Sequence, residues 1–257
     1  MKPKISIIIP TKNEEQAIAK VICSIPKKIL EVSEIIVADS SNDLTPIIAK
    51  RLGAKVLRIK GGKGKAMKAA AKKAKGEILV FLDGDGTDDP KYIPKALNLL
   101  KKCDIVHVAR HYKKGVKVKN PIIRASWILY ISFMISFWKL LGLNFKGDPL
   151  AGFRVLKKET WEKMKLKSND FLIESEMNLK AKKLNLKICE ILAPILPRIG
   201  GTFSSKFLSN PKQISKYFSF CLKYMTKENK IKAKEIIRKF KKSLEKLLLF
   251  YENNRNK

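Results

Sequence analysis

The first 110 residues alternate between short apolar runs and segments with helical spacing. Apolar runs of this length, bounded by polar residues, are typical of strands buried on both faces of a sheet. The segments between them predict helices that begin near Glu14, at Thr45, after the loop 61–65 and after Pro90. The predicted strands are residues 5–9, 34–38, 55–59, 77–82 and 104–108.

Repeated strand-helix-strand units predict an α/β fold with a mostly parallel sheet and right-handed crossovers. In such sheets, ligands bind beyond the carboxyl ends of the strands. Asp39 ends the second predicted strand and Asp83 follows the fourth. The acidic residues therefore lie where chemistry is expected.

The second half of the chain carries weaker patterns. Residues 171–184 predict a helix and residues 187–192 a strand. Residues 201–257 contain 15 basic and 4 acidic residues, and apolar residues such as Ile236 and Phe240 recur there at helical spacing. We therefore expect a catalytic domain over 1–208 and a basic amphipathic helical tail over 209–257. Two roles remain open for the tail: packing on the catalytic domain, or lying on a membrane surface.

One long apolar run lies within residues 122–143. Residues 125–138 are uncharged and are flanked by Arg124 and Lys139. A helix that spans a bilayer needs about 20 such residues, so this run predicts either a buried helix or an interfacial one. Trp127, Tyr130 and Trp138 suit an interface, because their rings are amphipathic.

The charge of the chain indicates which classes of partner it attracts. Its 257 residues include 55 basic and 23 acidic side chains, for a formal net charge of +32. Such a field attracts nucleic acid, anionic membranes or phosphorylated substrates.

The four cysteines are far apart, and we expect reduced, mostly buried thiols in a cytoplasmic protein. The first apolar run is too short for a secretory signal.

Asp83, Gly84 and Asp85 form the motif with the clearest chemistry. Two carboxylates separated by one small residue, just past a strand, can reach one cation. Hard cations such as Mg²⁺ accept few carboxylates and complete their shell with substrate phosphates. An EF-hand loop is excluded, because Asp88 and Pro94 occupy its glycine and glutamate positions. A solvated acidic turn is the alternative.

The loop 61–65 (GGKGK) precedes a predicted helix. Its backbone amides and ammonium groups predict an anion cradle, with a plain basic turn as the alternative. The loop is not a Walker A motif, because Leu57 and Ile59 stand where a glycine is required. Met67 likewise excludes G-x-G-x-x-G.

These motifs occur in the order found in the inverting family 2 glycosyltransferases, which residues 4–208 resemble. Within that family the chain is most similar to the polyprenyl-phosphate (dolichol-phosphate) sugar synthases. The first strand and its P-x-x-N-E turn, the G-K-G loop and the D-x-D motif carry the resemblance. Three later segments also carry it: residues 148–154 (DPLAGFR), 171–176 (FLIESE) and 198–206 (RIGGTFSSK). Ser40 after Asp39, Thr87 and Ala151 depart from the family's pattern.

The resemblance implies a GT-A fold, a single Rossmann-like sheet flanked by helices, and a set of site residues. A divalent ion, Mg²⁺ or Mn²⁺, would bind Asp83 and Asp85. Asp85, Arg154 and Glu174 are the candidate catalytic residues. The candidate nucleotide-binding residues are Pro10, Thr11, Asn13, Glu14, Asp39, Lys63, Gly64 and Asp83.

The expected reaction transfers a sugar from a nucleoside-diphosphate sugar to a polyprenyl phosphate, and the resemblance implies inversion. Such an acceptor is already ionised and needs cations rather than a base. Candidates to bind its phosphate are Arg110, Arg124, Arg198 and Lys206. A hydroxyl acceptor, of the sugar or glycerate type, is the alternative. It would need a base, for which Glu174, Glu176 or Asp148 could serve.

The expected location is cytoplasmic and peripheral, on an anionic membrane surface. The charge also permits a nucleic-acid-binding protein. Acidic residues clustered at strand ends disfavour that interpretation, because they repel phosphate backbones, and we expect no nucleic-acid partner. A sugar-nucleotide sensor without turnover is a further alternative.

Overall fold

A mixed sheet organises the molecule. The computed structural model describes residues 3–115, 117, 121–200 and 211–254. Across these residues the sheet has seven strands in the order β3-β2-β1-β4-β6-β5-β7. The strands are β1 (Ile5–Thr11), β2 (Ser33–Asp39), β3 (Lys55–Arg58), β4 (Ile78–Phe81), β5 (Ile105–Arg110), β6 (Arg154–Lys157) and β7 (Ile188–Ala193).

Helices cover both faces of this sheet and extend beyond it. Along the sheet they are α1 (Glu15–Cys23), α2 (Lys27–Leu30), α3 (Thr45–Arg51), α4 (Lys63–Lys73), α5 (Ile93–Leu99), α7 (Lys158–Met164) and α8 (Ile173–Lys183). Three longer helices are α6 (Pro121–Lys139), α9 (Pro211–Leu222) and α10 (Lys227–Asn254).

The alternation of side chains along β1 explains why its apolar run is continuous. Ile7 and Ile9 are fully buried against α1 and α5 on one face, where Ile18 is a neighbour. Ile8 is buried on the other face with Met67 of α4. A strand covered by helices on both sides needs apolar residues at every position.

The five strands predicted in the first 110 residues are confirmed, with ends within two residues of those expected. The sequence interpretation missed β6, which has four residues and is antiparallel to both β4 and β5. Because β6 runs in the opposite direction, its first residue, Arg154, lies beside Phe81 at the carboxyl end of β4. The loop that precedes β6 therefore reaches the edge of the sheet where Asp83 lies.

We call α6, α9 and α10 the aromatic layer, because aromatic rings dominate their contacts. Phe133 of α6 stacks on Phe240 of α10, with ring centroids 4.2 Å apart. The indole Nε1 of Trp138 donates a hydrogen bond of 2.8 Å to the hydroxyl of Tyr217 in α9. The inner face of α6 is thus buried, and the tail packs on the catalytic unit through it. The expected boundary at 208/209 lies outside the described residues.

In the described residues, none of the helices combines the length and the apolar character needed to cross a membrane.

The expectation of four reduced cysteines is wrong for one pair. Cys103, just before β5, forms a disulfide with Cys189 of β7. These two strands pair along their length, which brings the sulfurs together although 86 residues separate them in sequence. Cys221 is a buried thiol as expected, whereas the Cys23 thiol is exposed.

Candidate active site

The loop after β4 places two carboxylates at the carboxyl edge of the sheet. Asp83 and Asp85 each expose 18% of their side chains. A Cβ atom on Gly152 would lie 2.4 Å from Asp83 Oδ1, so only glycine at 152 leaves space for this carboxylate. Thr87 fixes Asp85, because its hydroxyl donates to Asp85 Oδ1 at 2.7 Å and its amide at 3.1 Å.

Lys63 joins Asp83 to α8. We call residues 82–88, which follow β4, the metal loop, because the resemblance implies a metal ion on its two aspartates. Its Nζ lies 2.6 Å from Asp83 Oδ1 and 2.5 Å from Glu174 Oε1. Burial alone would lower the pKa of Lys63, but the charges of Asp83 and Glu174 outweigh burial and raise it. Lys63 therefore remains an ammonium ion, and the charge of Glu174 serves to hold it.

The backbone of the G-K-G loop is less open than the sequence suggested. The amide of Gly64 donates to the Asp170 carbonyl at 3.2 Å, and that of Lys65 donates to the Asn169 carbonyl at 3.0 Å. A Cβ atom on Gly64 would meet the Ser168 carbonyl at 2.5 Å. These glycines thus allow close packing against residues 168–170. The amides of Gly64 and Lys65 are therefore already paired, and the side chain of Lys63 extends from the loop to Asp83 and Glu174.

Arg110, at the end of β5, links three elements around the same loop. Its Nη2 forms an ion pair of 2.8 Å with the fully buried Asp148, and its Nη1 lies 3.4 Å from the Thr87 hydroxyl. Its guanidinium carbon is 5.3 Å from the centre of the Trp127 ring in α6. Arg110 thereby connects the metal loop to the aromatic layer.

Arg198 connects two loops of the site through ion pairs. Its Nη1 lies 3.1 Å from Asp85 Oδ2, and its Nη2 lies 2.5 Å from Glu14 Oε1. Glu14 belongs to the turn after β1, which the resemblance assigns to the nucleotide. One guanidinium therefore bridges the metal loop and the turn after β1.

The turn after β1 is shaped by polar contacts with the loop after β2. Asn13 has a φ of 55°, and its amide donates to the Ser41 hydroxyl at 2.7 Å. Pro10 and Thr11 are the last residues of β1 and lead into this turn. An open cavity of about 420 Å³ lies between the two loops. Its lining residues are Asn13, Glu14, Glu15, Gln16, Asn42, Asp43 and Gly200.

Asp39 lies in the interior instead of along this cavity. It is fully buried, and its Oδ1 accepts from the hydroxyls of Thr11 at 2.7 Å and Ser41 at 2.5 Å. Its Oδ2 pairs with Arg58 of β3. These contacts tie the ends of three strands together, and a nucleotide role for Asp39 stays a prediction. Arg58 was missed, although its position directly beside Asp39 in the strand register is a usable signal.

Asp88 is a second residue that the sequence interpretation gave no role. Its Oδ2 accepts the amide of Asp83 at 2.8 Å. Burial and the charge of Asp83 raise the pKa of Asp88 to about 8, against the opposing effect of Arg110. Its place in the same acidic run, five residues after Asp83, was the signal available.

Arg154 is buried behind the metal loop. Its guanidinium donates to Asn178 Oδ1 at 2.6 Å and to the Pro149 carbonyl at 2.9 Å. Burial lowers its pKa to about 10, although Glu174 and other acids oppose the shift. These contacts hold the loop before β6 against α8, and contact between Arg154 and phosphate stays a prediction.

The four candidate acceptor residues are not all brought together. Arg110 and Arg198 both contact the metal loop. Arg124 is exposed near the start of α6, one turn before Trp127. Lys206 lies outside the described residues. We call the carboxylates of Glu14, Asp83, Asp85, Asp88 and Glu174 the acidic edge, and three cations, Lys63, Arg110 and Arg198, contact its loops directly.

The sequence of the strands and loops that build this edge matches a known family. Residues 6–158 match the model of Glycosyl transferase family 2. The chain belongs to that family. It is 30% identical over 187 residues to a dolichol-phosphate mannosyltransferase of Pyrococcus furiosus, covering 70% of this chain and 53% of that protein. The chain thus spans about half the length of this relative.

Two further comparisons bear on the family and the fold. A dolichyl-phosphate hexose transferase of Haloferax volcanii is 29% identical over 199 residues, covering 77% of this chain and 85% of that protein. The glucosyl-3-phosphoglycerate synthase of Mycobacterium tuberculosis, solved with Mn²⁺, UDP and glucosyl-3-phosphoglycerate, superposes with a TM-score of 0.63 at 22% identity. That superposition covers 85% of this chain and 80% of the other. The expected GT-A fold is confirmed.

Proposed function

We propose that this chain transfers a sugar from a nucleoside-diphosphate sugar to a polyprenyl phosphate, with inversion at the anomeric carbon. The observation that carries the proposal is the convergence of Lys63, Arg110 and Arg198 on the loop that bears Asp83 and Asp85. Breaking the bond between sugar and diphosphate places negative charge on the departing phosphate. Fixed cations at that place stabilise this charge.

The acidic edge fits a divalent metal ion, either Mg²⁺ or Mn²⁺. Asp83 and Asp85 offer hard oxygen ligands that are partly exposed. They are held by the cations Lys63 and Arg198 and by the hydroxyl and amide of Thr87. No cluster of three or more His, Cys, Asp or Glu suited to a metal occurs in the described part of the chain. The remaining ligands would then be phosphate and water oxygens, as Mg²⁺ prefers. When bound, the ion would act as a Lewis acid on the diphosphate.

Residues of this chain would bind the diphosphate and the nucleoside. Lys63, held by Glu174, lies beside Asp83 and would contact the diphosphate. Glu174 would act as a positioning residue, because its carboxylate is engaged by that ammonium. Asn13 and Glu14 line the cavity where the nucleoside would bind, and Pro10 and Thr11 at the end of β1 lead into their turn.

The names of the relatives support the lipid-phosphate acceptor. The aromatic layer adds a physical argument, because Trp127 contacts Arg110 at the edge of α6. A lipid phosphate that reached Arg110 would bring its chain against this helix. The phosphoglycerate synthase superposition favours the second candidate, a hydroxyl acceptor of the glycerate type. That reaction needs a general base, and Asp148 is already paired with Arg110.

We also propose that the outer face of the tail rests on an anionic membrane surface. The inner face of α10 packs on α6, which leaves its basic side chains in solvent. Anionic lipids attract such side chains by about 1 kcal/mol each near the surface. The exposed cations of this helix are Lys227, Lys232, Lys234, Arg238, Lys239, Lys241, Lys242 and Lys246.

A transfer assay tests the proposal. Purified protein is mixed with Mn²⁺ or Mg²⁺, labelled UDP- or GDP-sugars and polyprenyl phosphate, and label is counted in the organic phase. We expect metal-dependent label there. Asp83→Ala/Asp85→Ala should lose on the order of 10²–10³ of the rate, as for other preorganised charge-stabilising groups.

Glu159→Ala is the matched control, because this carboxylate is exposed and distant from the metal loop. It should leave the rate unchanged. Label transferred only to 3-phosphoglycerate would favour the second candidate. Absence of turnover with every donor and acceptor, at full nucleotide occupancy, would instead support a sensor.

A further inference from the structure

Arg198 holds a position that a bound metal and a bound nucleotide would each disturb. Its guanidinium forms ion pairs with Asp85 at 3.1 Å and Glu14 at 2.5 Å, and only 13% of its side chain is exposed. Asp85 Oδ1 accepts from Thr87, and Asp85 Oδ2 accepts from Arg198. Both oxygens of this carboxylate are therefore engaged within the chain.

The backbone fixes Arg198 over the metal loop. The amide of Ile199 donates to the carbonyl of Asp85 at 2.9 Å. Gly86, with a φ of +79°, leaves room for the Ile199 side chain, since a Cβ atom there would lie 2.5 Å from Ile199 Cδ1. Gly200 packs equally closely on Gln16 of α1. These contacts hold the backbone next to Arg198 against the loop that bears Asp85, so that only the guanidinium has to move when it changes partner.

In this geometry, a metal ion and the guanidinium of Arg198 would compete for the carboxylate of Asp85. A divalent ion on Asp85 would take the oxygen that Arg198 binds and would repel the guanidinium at close range. A diphosphate changes the balance, because its oxygens offer the guanidinium a bidentate anionic partner in place of Asp85.

We propose that Arg198 couples metal binding to nucleotide binding, by pairing with Asp85 until a diphosphate takes its place. The inference rests on the proposed function, since it assumes a metal on Asp85 and a diphosphate beside it. The metal alone displaces Arg198 without compensation and binds weakly. The metal together with a nucleoside diphosphate leaves Asp85 paired with the metal and the guanidinium paired with the diphosphate. By linkage, each ligand then raises the affinity for the other by the same factor.

The test measures Mn²⁺ affinity of the full chain by calorimetry or electron paramagnetic resonance, with and without UDP, and then with GDP. For the wild type we expect the nucleotide to raise Mn²⁺ affinity by about tenfold or more, within the usual range of coupling. In Arg198→Gln, Mn²⁺ alone should bind several-fold more tightly, and the coupling factor should fall several-fold, to the part that direct contact between Mn²⁺ and the diphosphate supplies.

Two further variants sharpen the test. Arg51→Gln removes the same charge from an exposed position on α3, and it should leave both quantities at wild-type values. Arg198→Lys keeps the charge but lacks the fork that reaches two carboxylates, so its coupling factor should be intermediate. This variant also carries the test if Arg198→Gln does not fold.

The outcomes separate the two proposals. If Asp85→Asn abolishes Mn²⁺ binding while Arg198→Gln keeps the wild-type coupling factor, the metal site stands and the role of Arg198 is wrong. Equal tightening of Mn²⁺ binding in Arg51→Gln and Arg198→Gln also overturns that role, since net charge alone would explain it. If the wild type binds neither Mn²⁺ nor nucleotide, the proposed function fails together with the inference.

Discussion

The acidic edge and the aromatic layer are held together by opposite kinds of interaction. At the acidic edge, buried or half-buried carboxylates are each matched by a cation or a donor, as Asp83 is by Lys63. In the aromatic layer, rings such as Phe133, Phe137 and Phe240 pack with few polar contacts. The first region is rich in contacts that a ligand can replace, and the second in contacts that only unfolding removes.

This difference has a thermodynamic reason. A buried ion pair gains little net stability, because desolvation of both charges offsets their attraction. Its partners can therefore be exchanged for a metal or a phosphate at small cost. Aromatic burial stabilises each ring by several kcal/mol and offers no alternative partner. We expect substitutions at the acidic edge to change binding, and substitutions in the aromatic layer to change stability.

The largest expected effect on stability is that of Phe133→Ala. Phe133 is 7% exposed and contacts rings of both tail helices, Phe218 and Phe240. Its loss should lower the free energy of unfolding by about 3–5 kcal/mol, as for other buried phenylalanines. Urea denaturation followed by circular dichroism measures this loss. At low temperature, Mn²⁺ affinity of the folded variant should stay within about twofold of the wild type.

Ile231→Ala serves as the control, because Ile231 lies on α10 but is 70% exposed. Its unfolding free energy should change by less than about 0.5 kcal/mol. A large loss of Mn²⁺ affinity in Phe133→Ala would break the comparison, since it would show that the aromatic layer shapes the acidic edge.

The fold of the first 110 residues was predictable because it rests on local periodicity. Each strand there is a continuous apolar run, and each helix follows a turn rich in polar residues. β6 escaped prediction, because its four residues gain their strand character from pairing with β4 and β5. The disulfide between Cys103 and Cys189 escaped for the same reason, as only the pairing of β5 with β7 brings the two residues together.

Many residues of the candidate site could be named from the sequence, but their contacts could not be predicted. The D-x-D motif, Lys63 and Arg198 were named from the sequence, and the structure brings them together. Their partners were not foreseen, because contacts between Lys63 and Glu174, or between Arg198 and Glu14, join residues more than 100 positions apart. Asp39 shows the limit most clearly: its position at a strand end was predicted correctly, yet the structure buries it.

Arg58→Gln tests whether the contacts of Asp39 are structural. Removing the guanidinium leaves a fully buried carboxylate with three hydrogen bonds, from Thr11 and Ser41. Hydrogen bonds to charged groups contribute about 1.5–3 kcal/mol, and Arg58 is half exposed, so we expect a loss near the lower limit. Thermal or urea unfolding measures this loss.

Arg51→Gln again supplies the control, as an exposed arginine that should change stability by less than about 0.5 kcal/mol. UDP affinity separates the two interpretations of Asp39. An affinity within about threefold of the wild type would support a structural role. A loss of tenfold or more in folded Arg58→Gln would show that the Asp39–Arg58 pair contacts the nucleotide.

The smallest effect is expected for Tyr217→Phe, which removes one hydroxyl and its polar contacts from the aromatic layer. The Tyr217 hydroxyl accepts the indole N–H of Trp138 at 2.8 Å, and both side chains are almost fully buried. The variant keeps the ring and leaves that N–H without its acceptor, which costs about 1 kcal/mol of unfolding free energy, the lower limit for a buried donor that loses its partner. Tyr224→Phe, at an exposed position, should cost nothing measurable. A loss above about 3 kcal/mol would mean that the layer depends on polar contacts as the acidic edge does.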